Sequence, residues 1–161
     1  MKTQPDRAVI GLISDTHGLL RPSVHGALFG VSLILHAGDV GGQEILDELG
    51  LIAPVHAVFG NTDPQGDPSL RDSIELEAGG LSIHVSHGHE LGSPTPARLL
   101  DAYPQDIIVY GHTHRQGVVA AGGRLVVNPG AAGQKRFSLM PSVARLVIAD
   151  GKAEVEIVTL D

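Results

Sequence analysis

The chain has 161 residues, 42% of them hydrophobic and 18% charged, a globular composition with enough apolar content for a real core. Its formal charge of −7 argues against extended nucleic-acid or anionic-lipid binding, and its lack of cysteine excludes disulfides, zinc-thiolate sites and cysteine nucleophiles. Nine histidines and 21 glycines are high counts for this length, whereas aromatic residues make up only 3%, so the core must be mainly aliphatic.

Residues 8–14 read as a buried strand with a glycine at position 11. A helix is expected over residues 22–28, opened by Pro22 and closed before Gly30. Residues 31–36 are a second apolar strand leading into Ala37-Gly38-Asp39. Residues 41–49 read as a helix with Ile45, Leu46 and Leu49 on one face and Gly50 as its stop. Residues 55–59 are a third strand, ending in Gly60-Asn61-Thr62-Asp63. This β-α-β-α-β order predicts parallel strands joined by right-handed crossovers.

The middle of the chain changes character. Residues 63–72, rich in Pro, Gly and Asp, read as a loop. Strands at 73–77 and 81–86 flank Ala78-Gly79-Gly80, a hairpin signal. A helix over 95–102 and a strand over 107–110 follow. Strands at 117–120 and 124–127 flank Ala121-Gly122-Gly123, and strands at 142–149 and 153–159 flank Asp150-Gly151. No linker or repeat interrupts this series, so residues 1–161 are expected to form one domain. The fold class is α/β, with two sheets packed face to face between helices. No apolar run is long enough to span a bilayer, and residues 1–7 lack a signal-peptide core, so the expected address is cytoplasmic, with no membrane partner.

The chemistry-bearing residues stand directly after apolar strands. They are Asp15 and His17, Asp39, Asn61, His87 and His89, and His112 and His114. Ligands bind in the crevice beyond the carboxyl ends of parallel strands, so separate segments deliver these groups to one place. Asp15 and His17 are two apart, as are His112 and His114, and an extended backbone would point each pair to one side. Oxygen and imidazole groups without thiolate suit Mn²⁺, Fe, Zn²⁺, Ni²⁺ or Co²⁺. The full set of Asp15, His17, Asp39, Asn61, His87, His112 and His114 is too large for one ion with an open position, and fits two ions sharing a carboxylate. Two divalent ions, two carboxylates and a bridging hydroxide leave a net positive charge, which attracts phosphate although the whole chain is acidic.

In Ser14-Asp15-Thr16-His17-Gly18, His36-Ala37-Gly38-Asp39, Gly60-Asn61-Thr62-Asp63, His87-Gly88-His89 and Gly111-His112-Thr113-His114, the sequence resembles the calcineurin-like metallophosphoesterase superfamily, specifically its small bacterial and archaeal phosphodiesterases. Val127-Asn128-Pro129-Gly130 is similar to the family's late strand and turn. The resemblance implies a four-layer αββα sandwich of two mixed sheets. It also implies one ion on Asp15, His17, Asp39 and His114, and a second on Asp39, Asn61, His87 and His112. Asp39 would bridge, and a hydroxide between the ions would attack phosphorus in line. Mn²⁺ is the first expectation for the metal. The substrate would be a small phosphate ester, a diester before a monoester, and a homo-oligomer is compatible with the family.

One position departs from the pattern. Larger relatives carry His directly after the Asn, where it can protonate a leaving group, and this chain has Thr62. Proton delivery would then fall to water, to His89 or to Asp63. His89 reads equally as a substrate contact and as a solvated loop residue. His36 reads equally as a partner orienting a ligand and as a packed strand-end residue. His25, His56 and His84 carry no motif and read as ordinary core or surface histidines, and Lys135-Arg136 reads as a solvated pair ahead of a phosphate contact. Two other functions compete. A single-metal hydrolase or oxygenase would leave Asn61 and His87 unexplained. A non-catalytic scaffold of the retromer type would be free to lose ligands, yet every expected position is filled.

Overall fold

The computed structural model describes residues 7–136 and 138–161; residues 1–6, on which the leader expectation mostly rests, lie outside them. In chain order the elements are β1 (Arg7–Ile13), α1 (Ser23–Ala27), β2 (Leu33–His36), α2 (Gln43–Leu49), β3 (Val55–Ala57), β4 (Ile74–Ala78) and β5 (Leu81–Val85). A 3-10 turn at His89–Leu91 precedes α3 (Pro96–Ala102). The rest are β6 (Ile107–Val109), β7 (Gly117–Ala121), β8 (Arg124–Asn128), β9 (Ser142–Ala149) and β10 (Lys152–Thr159).

The strands make two mixed five-stranded sheets, ordered β10-β9-β1-β2-β3 and β4-β5-β6-β8-β7. In the first, β1, β2 and β3 are parallel and β9 and β10 antiparallel. In the second, β5, β6 and β8 are parallel, with β4 and β7 antiparallel at the edges. Alternation along β1 sorts two of the three cores. Ile10 and Leu12 join Leu146 and Ile148 of β9 and Ile83, Val85 and Val109 of the other sheet, so this core lies between the sheets. Ile13 instead joins Val24 and Leu28 of α1 and Ile45 and Leu49 of α2 on the outer face. Gly11 lies under Leu28, and a Cβ there would press on both Leu28 methyls, so the missing side chain lets the helix settle. On the far side, Leu99 of α3 packs on Ile108, Tyr110 and Val126. The layers are therefore helix, sheet, sheet, helix, as expected. Each fully buried aliphatic side chain contributes about 1.5–3 kcal/mol of transfer free energy.

The helices are short, and two of them are held at one end by side chains. Thr95 Oγ1 accepts from the Arg98 N–H at 3.2 Å, and Pro96 stands in the first turn of α3. Arg145 of β9 donates to the carbonyls of Ala27 and Phe29 at 3.1 and 2.8 Å, satisfying the end of α1. Several boundaries differ from the sequence expectation by one or two residues, and two of them have a clear cause. Gly41 and Gly42 have φ of +90° and +136°, so α2 opens at Gln43 rather than residue 41. β3 stops at Ala57, because the Phe59 N–H turns to the carbonyl of Arg71 at 2.9 Å.

Candidate metal centre

Six parallel strands end along one edge, and their loops are laced together by backbone hydrogen bonds. The Asp15 N–H donates to Gly38 O and the His17 N–H to Asp39 O, both at 2.9 Å, so the first two loops continue pairing past their strands. The Gly111 N–H donates to His87 O at 3.0 Å, which joins the loops after β5 and β6. The loops also approach where side chains are absent. A Cβ at Gly60 would overlap Asp39 Oδ1, and one at Gly111 would overlap Ser14 Oγ.

The seven expected ligand residues converge. His17, Asp39, Asn61, His112 and His114 line one open cavity of about 400 Å³. Asp15 and His87 lie buried beneath it. The local conformation differs from the extended one that the spacing suggested. Asp15, His17, Asp39, His112 and His114 have φ of +54°, +48°, +56°, +72° and +64°. Left-handed backbone at a non-glycine residue costs on the order of 1–3 kcal/mol and concentrates at functional sites. Convergence therefore comes from tight left-handed turns, for which Asp and His are among the better-suited residues.

Oδ1 of Asp15 is buried and accepts no hydrogen bond among the described residues. Yet Nε2 of His114, His17 and His87 stand 3.2, 3.6 and 3.9 Å from it. Oδ2 of Asp39 lies 3.6 Å from His17 Nε2 and 3.3 Å from His87 Nε2. Ligand atoms about 2.0–2.2 Å from a common ion are about 3.0–3.6 Å from one another. The donors thus have the spacing of groups arranged around a cation. The residues Asp15, His17 and His114, and Asp15, Asp39 and His87, form two clusters that could each hold an ion. Asn61 Oδ1 lies 3.0 Å from His87 Nε2 and 3.1 Å from His112 Nδ1.

Neighbouring groups fix these side chains. His87 Nδ1 donates to Ala37 O at 2.8 Å, which leaves Nε2 facing the carboxylates. Asp15 Oδ2 accepts from Ser14 Oγ at 2.6 Å and from the His112 N–H at 3.1 Å, and Asp39 Oδ1 accepts from the Thr62 N–H at 2.9 Å. Burial pushes both carboxyls up, but the surrounding donors outweigh it. The imidazoles of His114 and His17 hold Asp15 well below the usual carboxylate range. His87 and the Thr62 N–H bring Asp39 down to about 2. Burial depresses His87, but Asp39 and Asp15 outweigh it, so its pKa is raised; that of His17 is raised chiefly by Asp15. Burial lowers His112.

His36 is a buried partner rather than a ligand. Its Nδ1 accepts from the Gly38 N–H at 3.1 Å, so Nε2 carries the proton and donates to Thr16 Oγ1 at 3.0 Å. Thr16 Oγ1 in turn donates to Val40 O at 2.7 Å. Asp63 is engaged by the backbone. Its carboxylate accepts from the N–H groups of Val40, Gly41 and Gly60 at 2.9–3.1 Å and ties the second and third loops together. His89 stands on the 3-10 turn at the edge of the centre, its ring 5.3 Å from that of His87 and 6.5 Å from that of His112.

Arg115 carried no expectation, and Arg136 read as solvated ahead of a phosphate contact; both are exposed and both line the cavity. Arg115 directly follows His114, and that adjacency was the available signal. Buried Asn128 donates through Nδ2 to Gly111 O at 3.2 Å and Thr113 Oγ1 at 3.0 Å, which fixes the loop carrying His112 and His114. It was noted only as part of a strand-and-turn pattern. His25 pairs with Glu48 at 2.7 Å on the surface, outside the centre. No helix among the described residues is long and apolar enough to cross a membrane.

The chain is similar to known proteins in sequence and fold. The chain is 34% identical over 158 residues to a probable metallophosphoesterase of Methanothermobacter thermautotrophicus, covering 93% of this chain and 91% of that one. It is 29% identical over 139 residues to a phosphodiesterase of Methanocaldococcus jannaschii, covering 75% and 82%. A solved Vps29 mutant from Entamoeba histolytica superposes with a TM-score of 0.75 at 26% identity, over 95% of this chain and 99% of that one. Residues 9–151 match the model of the calcineurin-like phosphoesterase superfamily domain, and the chain belongs to that metal-dependent family.

Proposed function

We propose that this chain is a phosphodiesterase working with two divalent ions, its residues forming one catalytic domain with a cytoplasmic address. Asp15, His17, Asp39 and His114 would hold one ion, and Asp39, Asn61, His87 and His112 the other. The observation that carries this reading is Asp39 Oδ2 standing between His17 and His87 beside Oδ1 of Asp15, which has no hydrogen-bond partner among the described residues. The donors are oxygen and imidazole, which suits Mn²⁺ first and Fe, Zn²⁺, Ni²⁺ or Co²⁺ as alternatives. When bound, such a pair of ions acidifies the attacking water and stabilises charge on the phosphoryl oxygens.

The chain's own residues supply the rest. Arg115 and Arg136 draw an anionic phosphate to the cavity and orient it. Asp63 and Asn128 keep the loops in register. Thr62 supplies its backbone N–H to Asp39 and no imidazole to the leaving group. His89 is the remaining imidazole at the rim. A diester is preferred because a relative named as a phosphodiesterase shares most of the chain. A scaffold role is the second reading, favoured by the likeness to Vps29 and weakened by the complete ligand set.

The test is hydrolysis of bis(4-nitrophenyl) phosphate and 4-nitrophenyl phosphate by chelator-treated protein resupplied with Mn²⁺. The diester should be cleaved faster, and Asp39→Asn should reduce the rate at least about a hundredfold, as removal of a shared ligand demands. No turnover with any divalent ion would favour the scaffold.

A further inference from the structure

A second recess, of about 630 Å³, opens on the other side of His89 from the metal centre. Phe59, Asp72, Glu75, His84, His89 and Glu90 are among its lining. We propose that it is the subsite for an ammonium-bearing substituent of the substrate diester, a proposal that rests on the phosphodiesterase reading.

The formally charged side chains of the lining are all carboxylates, those of Asp72, Glu75 and Glu90. His84 Nδ1 donates to Glu75 Oε2 at 2.6 Å, which leaves Nε2 as a lone pair. The His84 side chain is 2% exposed, and Nε2 has no partner among the described residues. Burial lowers the His84 pKa, which keeps the ring neutral and Nε2 accepting. Stacking on Tyr103 at 3.7 Å between ring centroids holds the ring in place. Glu90 Oε2 accepts from the Tyr103 hydroxyl at 2.8 Å and Oε1 from the Gly88 N–H at 2.9 Å, and both oxygens keep a further lone pair. Asp72 adds a third carboxylate, and among the described residues no Lys or Arg lines the recess.

Charge and hydrogen bonding together select the occupant. An anionic group would meet three carboxylates without a counter-charge. An apolar group would leave His84 Nε2 buried and unsatisfied. A primary ammonium carries three donors and a charge, and satisfies both demands. The half-buried ring of Phe59 adds a face for the cation. The catalytic cavity has the opposite character, with Arg115 and Arg136. The two cavities thus give the substrate a direction, with phosphate over the ligand cluster and the amine beyond His89.

The test compares 4-nitrophenyl 2-aminoethyl phosphate with its isostere, 4-nitrophenyl propyl phosphate, on the Mn²⁺-loaded protein. In each, water oxygen bonds to phosphorus, the P–O(aryl) bond breaks, 4-nitrophenolate leaves and a proton passes to solvent. The positive metal centre alone would disfavour the ammonium ester. The subsite predicts the reverse, a kcat/KM at least about tenfold higher for the aminoethyl ester, the worth of a charge-assisted hydrogen bond. The combined Asp72→Asn and Glu75→Gln variant should bring that ratio toward one. A ratio of one or less in the unaltered protein overturns the subsite while leaving the phosphodiesterase reading intact. If neither ester is cleaved, that reading fails, and the subsite is judged by binding. Metal-free protein is titrated with 2-phenylethylammonium and with 2-phenylethanol, following backbone amide NMR signals. Saturable shifts at Glu75, Ser86 and Glu90 with the amine alone, weakened in the variant, support the subsite. Equal responses to the two compounds, or none, overturn it.

Discussion

Oδ1 of Asp15 and Nε2 of His114 stand 3.2 Å apart, and Oδ1, fully buried, accepts no hydrogen bond among the described residues. Leaving a buried acceptor unpaired costs about 1–3 kcal/mol, and more for a charged group. A cation shared by the two atoms removes that cost. Divalent ion at a hundred times its dissociation constant should therefore stabilise the protein by about 2.7 kcal/mol. For a chain of this size that is a rise in melting temperature of roughly 5–10 °C. Thermal melts with Mn²⁺ and with chelator check this, and Asp15→Asn should remove most of the rise.

Asn128 acts through the loop it holds. Asn128→Ala frees the Gly111 carbonyl and the Thr113 hydroxyl. Metal affinity or activity should fall about 10–100-fold, the usual effect of losing a group that orients ligands. Circular dichroism should show the fold retained. Asn128→Asp, which keeps the acceptor for the Gly130 N–H but loses the donors, should be no better than the alanine variant.

With Thr62 in place of an imidazole and Asp63 committed to three backbone N–H groups, leaving-group protonation is weakly served. Aryl diesters should be cleaved much faster than alkyl diesters. His89→Asn should slow the alkyl substrates more than the aryl ones. A leaving-group series measured on both proteins checks this, and equal rates for aryl and alkyl esters would remove the argument.

Burial brings the His36 pKa down to about 4 from an ordinary value of 6.5. The unfolded chain therefore binds more protons than the native one between those values, so stability at this site is present above 6.5 and is lost as pH falls toward 4. The linkage amounts to about 3 kcal/mol across that window. His36→Asn should lower stability at pH 7, because the bridge to Thr16 is lost, but should flatten the decline between pH 6.5 and 4. Denaturant midpoints of chelated protein at several pH values check the slope.

Much of this was legible in the sequence because apolar runs and Gly-rich turns mark strands directly. Asp150-Gly151 announced the β9–β10 hairpin, and the polar residues after β1, β2, β5 and β6 announced the edge where they meet. What the sequence did not convey was conformation within the loops. The two-residue spacing of Asp15 and His17 suggested extended backbone, whereas both are left-handed. It also could not convey long-range partners. The lone pair of His84 depends on Glu75 across the β4–β5 hairpin, and the position of Arg136 depends on a loop returning to the cavity. Such contacts are set by tertiary packing and leave no local pattern.

The central claim is a two-ion centre sharing Asp39. Calorimetric titration of chelator-treated protein with Mn²⁺, run alongside hydrolysis of bis(4-nitrophenyl) phosphate, tests it most directly. The account predicts binding of about two ions per chain, activity that rises with the second, and loss of both in Asp39→Asn. Saturation at one ion with full activity, or unaltered stoichiometry in the variant, would contradict it.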